Sequence, residues 1–372
     1  MGELELGARL TKGVLVAITG TNGKTTTTTL VGELFRAAGR TTHVVGNIGY
    51  PITATAGISK ADDVTVAEVS SYQCEGISQF HPHVGAVLNI TEDHIVRHGS
   101  MEVYIAMKRR IFDRQTAHDV AVFNYDDPTC REMAKGLKAQ VAWFSRKEKV
   151  PYGAYVADHH IILKLGEGEQ MVCRCDEVYI PGPHNLENAL AAVAIAGVMG
   201  VPCETMREVL KTFRGVEHRI ETVRELDGVR WYNDSIATSP SRAMIGTLSL
   251  YDFKIVMIAG GADKKVPFDE LGKVICDKVK TLVLLAPEKP LEGFKTPAAG
   301  KIEAAVRGAE NYKDGAPVIL HANNMKDAVR LARESAEPGD VVSLCPAATG
   351  FDMYKSFAVR GDIYREEVKA LK

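Results

Sequence analysis

The chain has 372 residues, a length that corresponds to about 2.5 domains of ordinary size. Hydrophobic residues make up 45% and charged residues 25%, which is typical of a globular protein and excludes a disordered, collagen-like or coiled-coil chain. The 45 basic and 47 acidic residues give a net charge of −2, so the charge balance favours neither nucleic acid nor an anionic membrane as a partner. Seven cysteines, an odd number, indicate reduced thiols.

The sequence also lacks the usual marks of an exported or membrane-bound chain. No charged-then-apolar leader precedes the first motif, so we expect no signal peptide. The longest apolar stretch, residues 189–202, is too short to cross a bilayer and contains glycines. We therefore expect a soluble, cytoplasmic protein with two domains.

Short apolar runs alternate with helical patterns along the chain. Runs without polar alternation are typical of strands in a parallel sheet that is covered by helices on both faces. Helical spacing covers residues 31–38, which end at Gly39, and residues 186–199, which end at Gly200. The pattern indicates a doubly wound α/β fold that occurs twice. We predict strands at residues 14–18, 64–69, 86–90, 119–123, 254–259, 281–286, 317–321 and 340–344.

One region interrupts this pattern. Residues 150–182 contain short apolar runs separated by turn residues, which predicts antiparallel strands in a small excursion of the first domain. A new series of strands and helices begins after residues 213–216. We therefore predict an α/β domain at residues 1–215 and a second at 216–372.

The most informative stretch is the strand–turn–helix segment at residues 14–26. Its turn reads Gly-Thr-Asn-Gly-Lys-Thr-Thr at residues 20–26. Glycines let successive N–H groups point inward, and the helix N-terminus and Lys24 add positive charge, which together favour phosphate. Thr25 is placed to offer its hydroxyl to magnesium between phosphates. The strict Walker spacing fails because Ile18 stands where glycine is required, so a Gly-rich turn without phosphate remains the alternative.

Further stretches accompany this loop in a fixed order. The first half contains Gly-Asn-Ile-Gly at 46–49, Glu-Val-Ser-Ser-Tyr-Gln at 68–73, Leu-Asn-Ile-Thr-Glu-Asp-His at 88–94 and His-Asn-Leu-Glu-Asn-Ala at 184–189. The second half contains His-Arg at 218–219, Asn-Asp-Ser at 233–235, Gly-Gly-Ala-Asp-Lys at 260–264, Phe-Asp at 351–352 and Arg-Gly at 360–361. The ordered set resembles the Mur ligase superfamily across essentially the whole chain, and its D-glutamate-adding members in particular.

The resemblance implies both a fold and a reaction. The fold is a central P-loop ATP-binding domain with a mostly parallel sheet, followed by a Rossmann-like C-terminal α/β domain that binds the amino acid. The reaction is ATP-dependent ligation of D-glutamate to UDP-N-acetylmuramoyl-L-alanine through an acyl phosphate, in peptidoglycan precursor synthesis. The implied cofactors are ATP and two Mg²⁺ ions, and we expect a monomer that acts on small molecules. Two alternatives stay open: a superfamily ligase of different amino-acid specificity, and an ATP-binding remnant without activity.

The resemblance also assigns roles in the first domain. It gives nucleotide binding to Gly20, Thr21, Asn22, Gly23, Lys24, Thr25, Thr26, Asn185 and Asn188. It gives catalysis to Lys24, Glu68, His94 and Lys108, and magnesium to Thr25, Glu68, His94 and Lys108. It assigns substrate binding to Asn47, Ser70 and Asp93.

Two of these assignments compete with simpler interpretations. Glu68 ends a predicted strand, where active-site residues of open α/β sheets collect, but it could instead cap the next helix. The local sequence around Lys108 favours an ordinary surface lysine, whereas the resemblance implies a lysine carbamate whose two oxygens bind magnesium. Carbamate formation needs the neutral amine, which burial favours.

In the second domain the resemblance assigns the nucleotide to His218, Arg219 and Asp234, and D-glutamate to Thr238, Lys264, Thr349 and Phe357. His218 could instead be a packing residue, and Lys265 is a rival to Lys264. Two departures from the family pattern affect this site. Ile236 stands where related ligases often carry lysine, and residues 345–350 begin with Cys345 and end with Gly350 where the family has serine at both ends. Thr349 is the candidate substitute for the missing hydroxyl.

A further departure is at the start of the sequence. Family members carry an additional N-terminal domain that holds the uridine diphosphate, whereas this sequence starts where their central domain starts. We therefore expect intact ATP binding and a high Michaelis constant for the UDP substrate.

Overall fold

The structure is a computed structural model that describes residues 1–47, 50–92, 95–289, 292–313 and 315–372, with residues 95 and 96 described by their backbone only. The chain divides into two compact units, Met1–Phe213 and Arg214–Lys372. The division falls within the segment 213–216 at which the sequence analysis placed the boundary. No helix in the described ranges is long and apolar enough to cross a bilayer.

A nine-stranded sheet forms the centre of the first unit, as far as the structure describes it. Its strands are β1 Val14–Thr19, β2 Thr42–Gly46, β3 Val64–Glu68, β4 Val84–Val87, β5 Val120–Asn124, β6 Gln140–Ser145, β7 Gly153–Ala157, β8 His160–Leu165 and β9 Gly168–Arg174. The spatial order is β2-β3-β1-β4-β5-β6-β7-β8-β9, parallel from β2 to β7 and antiparallel from β7 to β9. The predicted antiparallel strands are confirmed, and they extend the main sheet.

Helices cover both faces of this sheet. They are α1 Glu3–Leu10, α2 Lys24–Ala37, α3 Thr53–Ala56, α4 Ser71–Cys74, α5 Ile95–His98, α6 Met101–Arg109, α7 Pro128–Met133, α8 Pro183–Val198 and α9 Cys203–Thr212. Along β1, Val16 and Ile18 pack into one core with α2 and α8, whereas Leu15 and Ala17 pack into the core on the opposite face. Burial on both faces requires an apolar residue at every position, which explains the unbroken run at 14–18.

The second unit repeats this architecture with six strands in the described ranges. The strands are β10 Glu221–Leu226, β11 Val229–Asn233, β12 Ile255–Gly260, β13 Val279–Leu285, β14 Val318–Ala322 and β15 Val341–Ala347. Their order is β10-β11-β15-β12-β13-β14, and only β10 runs antiparallel to its neighbour. The helices are α10 Pro240–Ile245, α11 Asp269–Lys278, α12 Ala299–Arg307, α13 Met325–Ser335 and α14 Phe357–Ala370. The predicted α/β class with mostly parallel sheets is confirmed for both units.

The carboxyl ends of parallel strands meet at one edge of each sheet. In the first unit, β1 and β3 are in register at Ile18 and Glu68, so the phosphate loop and Glu68 leave the sheet side by side. In the second unit, β11, β15 and β12 are neighbours and end at the segments 234–238, 348–351 and 261–265. Ligands of open α/β sheets bind at such edges, and these segments carry most of the site residues that the sequence analysis named.

Candidate active site

The phosphate loop connects β1 to α2 and requires glycine at its end. Gly23 has φ +80, in the left-handed region. A Cβ atom there would lie 2.2 Å from Oδ1 of Asn188. Both the backbone conformation and the close neighbour therefore exclude a side chain. The loop is braced by Asn89, whose Oδ1 accepts from the Asn22 N–H at 2.8 Å and whose carbonyl accepts from the Thr21 N–H at 2.9 Å.

Of the two asparagines at the start of α8, Asn188 reaches this loop and Asn185 is hydrogen-bonded to Asn188. Asn188 is buried, and its Oδ1 accepts from the Thr27 hydroxyl at 3.3 Å. Its Nδ2 donates to Oδ1 of Asn185 at 3.2 Å, and Nδ2 of Asn185 donates to the Pro181 carbonyl at 2.7 Å. The pair lies on one face of the helix because the residues are three apart. The amide of Asn188 therefore lies directly against Gly23.

Lys24 folds back over the phosphate loop. Its Nζ donates to the carbonyl of Gly20 at 2.9 Å and to that of Thr21 at 2.8 Å. Thr25 and Thr26 are buried in the first turn of α2, and the Thr25 hydroxyl makes no hydrogen bond to another described residue. The loop thus presents a cation, helix N–H groups and a hydroxyl at the end of β1, the set that phosphate and magnesium require.

Lys108 lies against the same loop. The expectation of a surface lysine is wrong, because α6 packs on the sheet and leaves Lys108 only 1% exposed. Its Nζ donates to the Gly20 carbonyl at 2.8 Å and to the Thr19 hydroxyl at 3.3 Å, and it lies 4.7 Å from the centre of the Tyr104 ring. A buried amine beside a phosphate loop is an unusual position for lysine, which is seldom fully buried without a specific partner.

Glu68 supplies a buried carboxylate at the end of β3. It is 1% exposed, and its Oε1 accepts from Nδ2 of Asn47 at 2.8 Å. Its Oε2 is buried and has no hydrogen-bond partner among the described residues. Leaving a carboxylate oxygen uncompensated is costly, so a cation is the partner that this environment calls for. The hydrogen bond from Asn47 therefore orients the Glu68 carboxylate.

Ser70 has a local role. Its hydroxyl accepts from the Gln73 N–H at 3.3 Å and its N–H donates to Oε1 of the Gln73 side chain at 3.0 Å, which forms a capping box at the start of α4. The hydroxyl also donates to the same Oε1 at 2.9 Å. The alternative that Glu68 caps this helix is therefore wrong, because Ser70 is the cap. The hydroxyl that was assigned to substrate is engaged in this cap.

The residues present fit a magnesium ion that the protein holds through few ligands. Across the described ranges, no three or more His, Cys, Asp and Glu side chains group as a metal site. Magnesium, however, typically uses one or two carboxylates together with substrate phosphates and water. Glu68 and Thr25 provide such oxygens at adjacent strand ends. Asp93 and His94, which the sequence analysis assigned to substrate and metal, lie outside the described residues.

The sequence analysis missed Tyr104 and Asn89. The Tyr104 hydroxyl lies 3.1 Å from that of Thr21, and the Tyr104 ring contacts Lys108. The available signal was the spacing of four residues between Tyr104 and Lys108, which puts them on one helix face. Asn89 stood within a quoted motif, but only the structure reveals that it braces the loop.

At the corresponding edge of the second unit, Asp234 follows β11 and is buried. Its Oδ2 accepts from the Thr247 hydroxyl at 2.7 Å, and its Oδ1 accepts from the Ile220 N–H at 3.3 Å. Burial raises the pKa of Asp234 to about 6, and the charge of Arg219 opposes that rise. The charges of Arg219 and Asp234 therefore interact.

His218 has the contacts of a packing residue. It is buried and adopts φ +62, and its Nδ1 lies 3.1 Å from Nδ2 of Asn233. Its ring meets that of Phe357 edge-on at 6.1 Å. Burial lowers the pKa of His218, which favours the neutral ring. These contacts favour the packing alternative for His218.

A buried arginine connects the ends of β11 and β12 in the second unit through hydrogen bonds. Arg360 on α14 donates to the Ser235 hydroxyl at 3.0 Å, to the Ser235 carbonyl at 2.9 Å and to the Gly260 carbonyl at 3.2 Å. Burial lowers the pKa of Arg360 to about 10, which leaves it charged at neutral pH. Nearby Asp352 is also buried, and neither of its oxygens makes a hydrogen bond of good geometry to another described residue. Burial raises the pKa of Asp352 to about 6.

The residues assigned to the amino acid come from the segments after β11, β12 and β15 and from the start of α14. The Thr349 carbonyl accepts from the Ala262 N–H at 2.6 Å, which joins the segments after β15 and β12. Thr238 closes the turn after β11 through a bond from its N–H to the Ile236 carbonyl at 2.7 Å. Lys264 is exposed, and Phe357 is 37% exposed.

Gly350 lies close to the backbone at the start of α14. A Cβ atom there would lie 3.0 Å from the Ser356 carbonyl oxygen, so a side chain would require that backbone to move by a few tenths of an ångström. The Thr349 hydroxyl, the candidate substitute, lies 3.5 Å from the Ala262 carbonyl. Cys345 is buried within β15, and burial raises the pKa of its thiol.

Comparison with known proteins agrees with both units. Residues 18–196 match the family model of the Mur ligase middle domain, and residues 218–348 match that of the Mur ligase glutamate ligase domain. Over its whole length the chain is 47% identical to the UDP-N-acetylmuramoylalanine–D-glutamate ligase of Pelotomaculum thermopropionicum and covers 78% of that protein. It is 44% identical to the ligase of the same name from Clostridioides difficile and covers 79% of it. The chain belongs to the Mur ligase family.

Solved structures agree with this membership at the level of the fold. A UDP-N-acetylmuramoyl-L-alanyl-D-glutamate–2,6-diaminopimelate ligase aligns over 99% of this Mur ligase and 80% of its own chain, with TM-score 0.67 and 20% identity. A UDP-N-acetylmuramate–alanine ligase from Thermotoga maritima aligns over 98% and 77%, with TM-score 0.63 and 18% identity. Mur ligases are ATP-dependent ligases that use magnesium. The matches to the two family models and to the two ligases confirm the resemblance inferred from the sequence motifs.

Proposed function

We propose that this chain joins D-glutamate to UDP-N-acetylmuramoyl-L-alanine at the expense of ATP, as a step of peptidoglycan precursor synthesis. The observation that carries the proposal is identity over the full chain to ligases of that name, together with the phosphate loop and the unpartnered Glu68 oxygen at one sheet edge. Because ATP and UDP-sugars are cytoplasmic metabolites, we assign the reaction to the cytoplasm, and we expect a monomer.

The chemistry needs an activated carboxylate. A free carboxylate is a poor acyl donor, so an oxygen of the substrate carboxylate attacks the γ-phosphorus of ATP and ADP leaves. The neutral amine of D-glutamate then attacks the carbonyl carbon of the acyl phosphate, phosphate leaves and the new amide nitrogen loses a proton. Such phosphoryl transfer requires positioning and neutralisation of charge rather than a covalent intermediate on the protein.

The residues of the first unit provide that positioning. Lys24 exchanges its bonds to the loop carbonyls for phosphate oxygens, and the N–H groups of the loop bind the same phosphates. Thr25 and Glu68 would hold magnesium, which when bound neutralises phosphate charge. Asn47 keeps the Glu68 carboxylate oriented through its bond to Oε1. Asn188 keeps Gly23, and with it the loop, at a fixed position.

Lys108 is proposed to act as a carbamate. Its neutral amine adds to carbon dioxide, the new N–C bond forms and one proton leaves, so that a cation becomes an anion with two oxygens. Burial beside the phosphate loop supports this proposal, since it favours the neutral amine that must react and sets the product next to a magnesium-dependent site. This second anion would recruit a magnesium ion of its own, which accounts for the two ions that the resemblance implies.

The first experiment measures phosphate release from MgATP with UDP-N-acetylmuramoyl-L-alanine and each of several amino acids. Release that requires both the UDP substrate and D-glutamate supports the proposal. ATP binding without release under any combination contradicts it and favours a nucleotide-binding remnant. Release with another amino acid instead of D-glutamate points to a different specificity.

The carbamate is tested separately. Lys108→Ala is expected to lose activity, and the parent is expected to lose activity when bicarbonate and carbon dioxide are removed and to regain it when bicarbonate returns. Lys149→Ala, at an exposed lysine of the same unit, is the matched control. Activity of Lys108→Ala at the parent level, without dependence on bicarbonate, contradicts the carbamate.

A further inference from the structure

The turn at residues 218–220 has an unfavourable backbone conformation and carries Arg219 at its centre. His218 has φ +62 and Ile220 has φ +48, so a residue with a side chain adopts the left-handed conformation on each side of Arg219. This conformation costs free energy, most of all for a β-branched residue, and it persists only where surrounding contacts enforce it. The contacts that hold this turn therefore determine where the Arg219 backbone lies.

Hydrogen bonds connect the backbone of this turn to the second unit. The His218 N–H donates to Oε2 of Glu221 at 2.9 Å, and the His218 carbonyl accepts from the Ile236 N–H at 3.0 Å. The Ile220 N–H donates to Oδ1 of Asp234 at 3.3 Å. Each residue with positive φ is thereby bonded to β10 or to the segment after β11.

The imidazole ring of His218 provides a further anchor. Its side chain is only 7% exposed. Asn233, the last residue of β11, is fully buried, and its Nδ2 lies 3.1 Å from Nδ1 of His218, from Oε2 of Glu221 and from the Gly361 carbonyl. Because an amide nitrogen can only donate, Nδ1 of His218 accepts, which places the ring proton on Nε2. One amide group thus connects the ring to β10 and α14.

Gly361 leaves the space that this ring occupies. It lies inside α14 and is not among the glycines with positive φ in the described ranges, so its backbone conformation does not require glycine. Within a helix, glycine is also less favourable than alanine. A Cβ atom at residue 361 would lie 2.2 Å from Nδ1 of His218 and 2.9 Å from Cε1. The His218 ring therefore accounts for the glycine of the Arg-Gly motif.

We propose that Asn233 and Gly361 are positioning residues for Arg219. They enclose the His218 ring, and the ring holds the turn from which the Arg219 side chain extends. The inference rests on the proposed function, in which Arg219 contacts the nucleotide as the resemblance implies. An arginine whose backbone is already fixed loses less conformational freedom when its guanidinium binds phosphate, so the affinity for ATP is higher.

The test measures the dissociation constant of MgATP by isothermal titration calorimetry in Gly361→Ala, in Asn233→Ala and in a control, Gly300→Ala. Gly300 also lies within a helix, α12, but a Cβ atom there would meet open space. The first two variants are expected to bind MgATP about tenfold more weakly, the effect of losing a hydrogen bond to a charged group. The control should bind MgATP as the parent does. Parent-like affinity in both Gly361→Ala and Asn233→Ala overturns the inference.

Two further backgrounds show whether the effect depends on the ring and on Arg219. His218→Gly removes the ring and supplies a residue that adopts positive φ without strain. In that background Gly361→Ala is expected to change the MgATP affinity less than twofold, because no ring is left to displace. The same small change is expected in an Arg219→Gln background, where the positioned charge is gone. A tenfold loss in either background overturns the inference.

Unfolding measurements separate positioning from a folding defect. Urea unfolding shows which variants are folded at the conditions of the titration. Asn233→Ala adds no bulk, so it carries the test if Gly361→Ala does not fold. Weaker MgATP binding by a folded variant supports the inference, and so does the loss of its effect in the two backgrounds.

The binding measurement also keeps the inference separate from the proposed reaction, because MgATP binding needs no turnover. The expected pattern of affinities supports the inference even when no amino acid promotes phosphate release, an outcome in which the proposed function fails alone. Parent-like MgATP affinity of Arg219→Gln overturns the inference, and so does the absence of MgATP binding by the parent.

Discussion

Replacement of the buried Asp352 by asparagine is expected to stabilise the second unit at neutral pH. The pKa of Asp352 rises from 3.8 to about 6 because burial penalises the carboxylate more than Arg360 stabilises it. At 1.36 kcal/mol per pH unit, this difference amounts to about 3 kcal/mol. The folded state binds the proton more tightly, so the stabilising contribution is complete below pH 3.8 and is lost as pH rises through about 6. Asparagine cannot ionise and avoids that loss.

The assay is urea unfolding followed by tryptophan fluorescence. The chain has two tryptophans, and Trp231 is fully buried in the second unit, so a Trp143→Phe background reports on that unit alone. At about pH 7.5, Asp352→Asn is expected to raise the free energy of unfolding by about 2 to 3 kcal/mol. At about pH 4, where the parent carboxyl is largely protonated, the gain should nearly vanish.

The matched control is Asp252→Asn, which removes a charge from an exposed position of the same unit. It is expected to change stability by less than about 0.5 kcal/mol at either pH. An equal gain for Asp352→Asn at both pH values, or a loss at neutral pH, would refute the reasoning. The first result would point to packing, and the second to an ion pair with Arg360 that outweighs the cost of burial.

Two further predictions concern the first unit. Gly23→Ala is expected to weaken ATP binding about tenfold or more, since the new methyl group would lie 2.2 Å from Oδ1 of Asn188. The control is Gly39→Ala, since Gly39 has φ +79 but no atom within 4 Å of a Cβ at that position. This variant should lose about 1 kcal/mol of stability and keep its ATP affinity. Equal ATP affinities in the two variants contradict the argument. Glu68→Gln is expected to lower phosphate release about a hundredfold or more and to raise the magnesium concentration required, whereas exposed Glu33→Gln should do neither. A normal magnesium titration of Glu68→Gln would remove Glu68 as a ligand.

The strands that the sequence predicts best are those buried on both faces. β1 and β12 have apolar residues at nearly every position, because helices cover them above and below, and β3 is likewise buried at every position. The analysis did not predict β2, β6, β10 and β11. Of these, β2 and β10 lie at sheet edges and are mostly half-buried. At such an edge, polar and apolar residues mix, so the pattern resembles a loop.

The site residues differ in the same way: some can be predicted from neighbouring residues in the sequence, and others depend on tertiary packing. The phosphate loop could be predicted because its chemistry lies in consecutive residues. The burial of Lys108 could not, since it depends on how α6 packs against the loop, and the surrounding sequence is that of a surface helix. The tight surroundings of Gly350 are likewise remote in sequence, because the neighbouring carbonyl belongs to Ser356 at the start of another helix.

Arg360 stabilises the second unit directly beside the loops proposed to bind the amino acid. Its guanidinium joins Ser235 and Gly260 at the ends of two strands, while Ile236 and Gly350 occupy the loops just beyond. Substitutions in those loops can alter which amino acid is accepted without loosening the sheet edge that carries them. Amino-acid specificity in this fold can therefore change through single substitutions in these loops while the reaction itself is retained. Libraries that vary the loops and keep Arg360 constant are the natural route to ligases for other amino acids.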